Sequence, residues 1–244
     1  MNTQISRYWK NTLDWSKQHK MRFAAAVIVG VIFLQYLSLP NNSIERLRNR
    51  NPSVTALMKQ RIDEANSEDK ELSIARKWVP LSRISKHLIN AVIVSEDGMF
   101  YEHEGVDWYE VEESIKKNLE KGKAARGGST ISQQLAKNLY LSTSKDPMRK
   151  FKELVITLRM ERMLSKRRIL EIYLNVIEWG NGIFGAEAAA QKYFGVSASQ
   201  LTREQAARMA AVIPSPRKYQ PNVFSRYVAR RSEIILHRMA ARGY

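Results

Sequence analysis

The sequence predicts a mainly α-helical domain preceded by one transmembrane helix. Three observations lead there. From Pro80 to Arg242, apolar residues recur at helical spacing in run after run, and most runs open on a Ser, Thr or Asp suited to capping. No alternating, strand-like pattern interrupts them. Near the N-terminus, Phe23 to Leu39 is uncharged and apolar on every face.

That apolar stretch ends at Pro40 and is at the short end of the roughly 17–25 residues a bilayer-spanning helix needs. Arg7, Lys10, Lys17, Lys20 and Arg22 precede it, with Trp9 and Trp15 placed for an interface. A cleaved signal peptide is the rival; the long basic lead and the lack of an Ala-x-Ala site argue against it. Residues 1–22 read as a cytoplasmic tail and 23–40 as the span. Arg46, Arg48 and Arg50 lie just beyond it, so charge alone leaves the orientation open. Long domains translocate largely regardless of charge, which puts the domain outside. Residues 41–77 are charged and mixed, and read as a tether with some helix after Pro52-Ser53.

The domain is expected over 78–244. Its first helix carries Ile84, Leu88, Ala91, Val92 and Ser95 on one face, with Ser82 as its cap. Glu96 falls at its C-terminus. The negative end of that helix and neighbouring Asp97 both disfavour an ionised carboxylate, which suits a general base. The next helix, Asp107 to Lys121, is amphipathic and lysine-rich (Lys116, Lys117, Lys121); these lysines read as a solvated face or a contact with anionic lipid.

Gly127-Gly128 then opens a helix capped by Ser129 or Thr130, with Ile131, Leu135 and Leu139 inward. Gln133 with Lys137, and Gln134 with Asn138, share its polar face. Free N–H groups at such a start bind phosphate readily, and Lys137 adds charge; the alternative is an ordinary solvated face. Asp146-Pro147 is a strong helix start, with Phe151, Leu154, Val155 and Leu158 predicted inward. Arg149 and Glu153 are spaced for an ion pair. Ser165 caps the next helix, Gly185 and Gly195 bracket an alanine-rich one, Thr202 and Gln205 form a capping box, and a basic amphipathic helix runs from Ser225 to Arg242.

The chain has 244 residues, 44% hydrophobic, with a formal net charge of +16. A packed core is therefore expected, and a surface that attracts polyanions. There is no cysteine, which excludes disulfides, thiol catalysis and thiolate-bound zinc. No P-loop or GxGxxG occurs, and the four histidines have no metal-ligand spacing.

Four ordered blocks carry the chemistry. They are Glu96-Asp97-x-x-Phe100-x-x-His103-x-Gly105; Arg126-Gly127-Gly128-Ser129-Thr130-Ile131-Ser132-Gln133-Gln134 with Lys137-Asn138; Arg149-Lys150-x-x-Glu153; and Lys166-x-x-Ile169-Leu170-Glu171-x-Tyr173-Leu174-Asn175. In order and spacing they resemble the peptidoglycan glycosyltransferases, family 51, the module also found in class A penicillin-binding proteins. The resemblance covers about Trp78 to Pro216. With no transpeptidase domain after it, and with Gly180 to Ala190 as it stands, the chain looks like the monofunctional branch.

The resemblance implies a lysozyme-like helical fold with a small membrane-proximal lobe, here 107–126. It implies an inverting enzyme of the bacterial inner membrane, with its domain in the periplasm, that polymerises lipid II into β-1,4-linked glycan. Glu96 matches the general base and Glu153 the second catalytic glutamate. Asp97, Phe100, His103, Arg126, Ser129, Thr130, Gln133, Gln134, Lys137, Asn138, Arg149 and Lys150 match substrate-binding positions. Among Arg149, Lys150 and Lys152, Glu153 has its charged form favoured, which makes it a poor base but a good organiser of cations, or a ligand for a divalent ion on the pyrophosphate. No cofactor is required. Many members have an arginine a few residues before the Arg-Lys pair; Lys145 stands there, keeping charge but losing bidentate geometry. The partners implied are lipid II and the growing glycan chain, membrane lipids, and other cell-wall synthesis or division proteins, with no nucleic acid. A lytic glycosidase of lysozyme-like fold, or a membrane-tethered polyanion-binding module without activity, are the competing readings.

Overall fold

The computed structural model describes residues 19–25, 30, 40–121, 128–143 and 146–244, and the chain divides into two units, Met1–Pro40 and Asn41–Tyr244. In the first unit, residues 20–25 are helical. No helix among the described residues is long and apolar enough to cross a membrane. Most of the predicted span, 23–39, lies outside them, as do Arg126 and Lys145.

The second unit is mainly helical, as expected. Its helices are α1 (Asn41–Arg46), α2 (Ala56–Asn66), α3 (Lys86–Glu96), α4 (Trp108–Lys121), α5 (Ile131–Tyr140), α6 (Pro147–Met163), α7 (Lys166–Val176), α8 (Ala186–Phe194), α9 (Arg203–Val212) and α10 (Arg226–Ala241). Most starts follow from local chemistry: Asp146, Ser165 and Ser225 accept from backbone N–H groups two or three residues on, and Thr130 and Thr202 each form a capping box with a glutamine. One cap is corrected. Ser85, not Ser82, opens α3, because Leu81–Arg83 forms a separate 3₁₀ turn.

The helices pack in two groups. α3, α9 and α10 pack on one another; α5 packs on α2, α6 and α7. Along α7, every residue from Ile172 to Val176 is buried, so this helix runs through the core. The predicted inward face of α6 is wrong. Glu153, Ile156, Thr157 and Met160 are buried, while Leu158 is 36% exposed. Periodicity places a glutamate outside; here ion pairing lets Glu153 turn inward and rotates the whole face with it.

Three short strands, β1 (Ala75–Arg76), β2 (Glu178–Gly180) and β3 (Ile183–Phe184), form a sheet in the order β1-β3-β2. β1 is parallel to β3, and β2 is antiparallel to it. Segments of two or three residues cannot display a period of two, so the sequence holds no sign of them.

The predicted tether, 41–77, is instead part of the second unit. Ile44, Leu47, Leu57 and Met58 are buried, and β1 belongs to the sheet. Arg48 donates to the Met163 carbonyl at 2.7 Å, and Arg168 donates to the carbonyls of Leu47 and Arg50. Arg61 forks onto the buried Glu178 carboxylate at 3.0 and 2.9 Å. Its few apolar residues and its many charges looked like linker; their partners lie more than a hundred positions away.

Arg61 carries a testable consequence. Burial pushes the Glu178 carboxyl up, and Arg61, helped by Arg217, offsets that only in part. Arg61→Ala would leave that carboxylate buried without its fork. We expect a stability loss of about 3 kcal/mol, the lower end for a broken buried pair, because the arginine side chain keeps 17% exposure. Urea unfolding measures it; a loss below about 1 kcal/mol would mean that the pair does not anchor α2.

Candidate active site

The first and second sequence blocks meet at the start of α5. Asp97, the C-cap of α3, is 7% exposed and points one oxygen at the first N–H of α5, that of Ile131, at 2.9 Å. Its other oxygen meets His103 Nε2 at 2.9 Å. His103 Nδ1 accepts from the Gly105 N–H at 3.0 Å, so Nδ1 is unprotonated in the neutral ring and Nε2–H is the donor to Asp97. Thr130 Oγ1 closes the loop by donating to the Gly105 carbonyl at 2.7 Å. Gly105 sits at φ +93°, and a Cβ there would lie 2.8 Å from both Glu161 and Thr157.

This knot corrects one expectation. The start of α5 is not an open phosphate cradle. The Ile131 N–H goes to Asp97, and those of Thr130 and Gln133 are exchanged within the capping box. Asp97, Phe100, Thr130, Gln133 and Asn138 are all buried. His103 has a side chain only 10% exposed. These residues hold the site together rather than line its open surface.

Glu96 is the last residue of α3 and is reached from three elements. Gln134 Nε2 on α5 donates to its Oε2 at 3.1 Å. Ser95 Oγ donates to Oε1 at 3.0 Å, and Arg231 of α10 approaches the same oxygen at 3.4 Å. The Gln134 amide is itself oriented by Tyr173 of α7, whose hydroxyl donates to Oε1 at 2.9 Å. Burial, with Glu96 and Asp97 nearby, holds the Tyr173 phenol well above its usual range, so it remains a donor. That leaves the amide N–H groups for Glu96.

Glu153 stands on α6, 3% exposed, with Arg149 at 2.7 Å on one oxygen and Lys150 on the other. Both carboxylate oxygens are therefore engaged by cations. Among the described residues, no group of three or more His, Asp or Glu could hold a metal ion. Lys150 also reaches Ser129 Oγ at 3.4 Å.

Lys137 joins the two glutamates. It projects from α5, and burial holds its ammonium below the usual lysine range; Glu153 and Glu96 pull it back up, while Arg149 and Lys150 push it further down. The polar face of α5 is thus buried or half-buried, unlike an ordinary solvated face. Lys137, Arg149 and Lys150 face one paired carboxylate, Glu153, which leaves an excess of positive charge beside Glu96. Such an arrangement can bind a phosphorylated group and offers a carboxylate to take a proton near it.

The transglycosylase family model matches residues 63–240. This chain belongs to the transglycosylase family. As a transglycosylase it is similar to the biosynthetic peptidoglycan transglycosylase of Nitrosospira multiformis, 52% identical over 78% of this chain and 83% of that protein. The proteins of that name from Chromobacterium violaceum and a Janthinobacterium species are 51% and 50% identical, over 79% and 78% of this chain and 85% and 83% of their own lengths. The matched region of the transglycosylase begins inside the segment read as a tether, in agreement with its packing. It also includes two residues of the site that sequence reasoning gave no role there, Tyr173 and Arg231. Tyr173 lay within a recognised block but read as core; Arg231 lay in a basic helix with nothing to single it out.

Proposed function

We propose that this chain polymerises lipid II, with Glu96 as general base and Lys137, Arg149 and Lys150 offsetting the charge of an undecaprenyl pyrophosphate leaving group. Family membership makes it a peptidoglycan glycosyltransferase of the cell envelope. The observation that carries the mechanism is Lys137, half-buried within electrostatic reach of both Glu96 and the ion-paired Glu153.

The growing chain on its lipid pyrophosphate is the donor and the GlcNAc 4-hydroxyl of lipid II the acceptor. As the acceptor oxygen bonds to the donor's anomeric carbon, its proton passes to Glu96 and the bond to pyrophosphate breaks. Attack from the face opposite the leaving group gives inversion, hence a β-1,4 link. The pyrophosphate leaves unprotonated if its charge is offset, and the three cations supply that. Glu153 keeps Arg149 and Lys150 in place and takes no proton. A lipid-linked substrate calls for a nearby bilayer. The apolar stretch 23–40 would anchor the chain in the inner membrane, residues 1–22 remaining cytoplasmic. Trp108 and Tyr109, 68% and 71% exposed at the start of α4, support a membrane-proximal lobe.

Labelled lipid II given to the detergent-solubilised full-length protein tests this reading. Long glycan strands are expected. Cleavage of preformed glycan would indicate a lytic glycosidase, and no reaction with either would leave only a binding module.

A further inference from the structure

We propose that Arg231 is a positioning residue that orients Glu96 and sets a cation beside it, an inference that rests on reading Glu96 as the base. α10 lays three arginines against the C-terminal end of α3. Arg238 donates to the Val94 carbonyl at 3.4 Å and Arg242 to the Gly98 carbonyl at 2.5 Å. Arg231 reaches side chains instead: Ser95 Oγ at 3.3 Å and Glu96 Oε1 at 3.4 Å. The end of a helix is its negative pole, a poor place to hold a carboxylate ionised. A base stationed there needs a cation nearby.

Other groups around Glu96 do not fill that role as well. Asp97 is turned to His103 and α5. From α5, Gln134 is neutral, and Lys137 has its own charge disfavoured by burial. Tyr173 of α7 is a neutral donor engaged with Gln134. On α6, Glu153 is paired with Arg149 and Lys150. A guanidinium, unlike an ammonium, keeps its charge when partly buried. Its Nε is buried with no hydrogen-bond partner, so the other arm of the guanidinium, on Ser95 and Glu96, is what its placement serves.

The test compares Arg231→Gln, Arg231→Lys, Arg238→Gln and Glu96→Gln in the full-length solubilised protein, by initial rates of lipid II polymerisation from pH 5 to 9 and by thermal melting. In wild type the acid limb of the rate reports protonation of the base. Arg231→Gln should move that limb up by about one pH unit, the low end for losing a nearby opposite charge, since the Arg231 side chain is 33% exposed. Near the foot of the limb this is about a tenfold loss, shrinking to a few-fold on the plateau. Arg231→Lys should restore most of the shift. Arg238→Gln, which loses only a backbone contact, should lower the melting temperature without moving the limb. If Glu96→Gln abolishes the limb but Arg231→Gln leaves it in place, the role of Arg231 is overturned and the base stands. If Glu96→Gln retains the limb, the base assignment fails and the role of Arg231 falls with it.

Discussion

Replacing Glu96 by glutamine is expected to lower lipid II polymerisation by about 10²–10⁴-fold, the range for a lost general base. The amide is nearly isosteric and can still receive Ser95 and Arg231 on its oxygen, losing only the acceptor for Gln134, so the fold should be retained. Binding of a pyrophosphate-bearing donor mimic should be close to normal, because a base contributes mainly in the transition state. Glu153→Gln should behave differently. It takes the charge from between Arg149 and Lys150, which then repel each other, so donor binding and turnover should both change. It also places a half-satisfied amide where a buried carboxylate was, so stability should fall as well. Measuring polymerisation and mimic binding side by side separates the two. Loss of donor binding in Glu96→Gln, with a lost rate but normal donor binding in Glu153→Gln, would reverse the roles.

Lys137→Ala is expected to slow turnover by about 30- to 1000-fold, corresponding to the roughly 2–4 kcal/mol attached to one preorganised charge stabiliser. Its stability effect should have the opposite sign. The ammonium is held below its usual range chiefly by burial. In the pH window between its folded and unfolded values, the unfolded chain binds more protons, so stability rises with pH there. At neutral pH the buried charge therefore opposes folding, and alanine, a strong helix former, removes that opposition. The melting temperature of Lys137→Ala should match or exceed wild type while activity collapses. The same burial predicts an alkaline limb in the wild-type rate at a pH below that of an ordinary lysine. Lys137→Arg should remove this limb, because a guanidinium does not deprotonate. A variant that is both unstable and inactive would point to a structural role for Lys137 instead.

Much of this was legible before any coordinates. Asp146-Pro147, Ser165 and Thr202–Gln205 announce helix starts because capping is satisfied within four residues, so a linear reading contains all the partners. Glu96 at the end of α3, the apolar stripe Ile131, Leu135, Leu139, and the Arg149–Glu153 pair were legible for the same reason. The order of the four blocks then pointed to the family, and the family model confirms it.

What the sequence could not determine depends on partners distant in the chain. The inward face of α6 was misread because polarity alone says nothing about whether two cations will accompany Glu153 inward. Residues 41–77 looked like a tether because Arg61 and Glu178 are separated by 117 positions. The start of α5 looked open because Asp97, which fills it, comes from another helix end. By itself, the sequence determined where most helices begin, the apolar stripe of helices such as α5, and the family to which the chain belongs. Only the tertiary structure decided which charges are buried, which donors are already spent, and that Arg231 reaches Glu96, because burial and long-range pairing are properties of three-dimensional packing and leave no periodic trace along the chain.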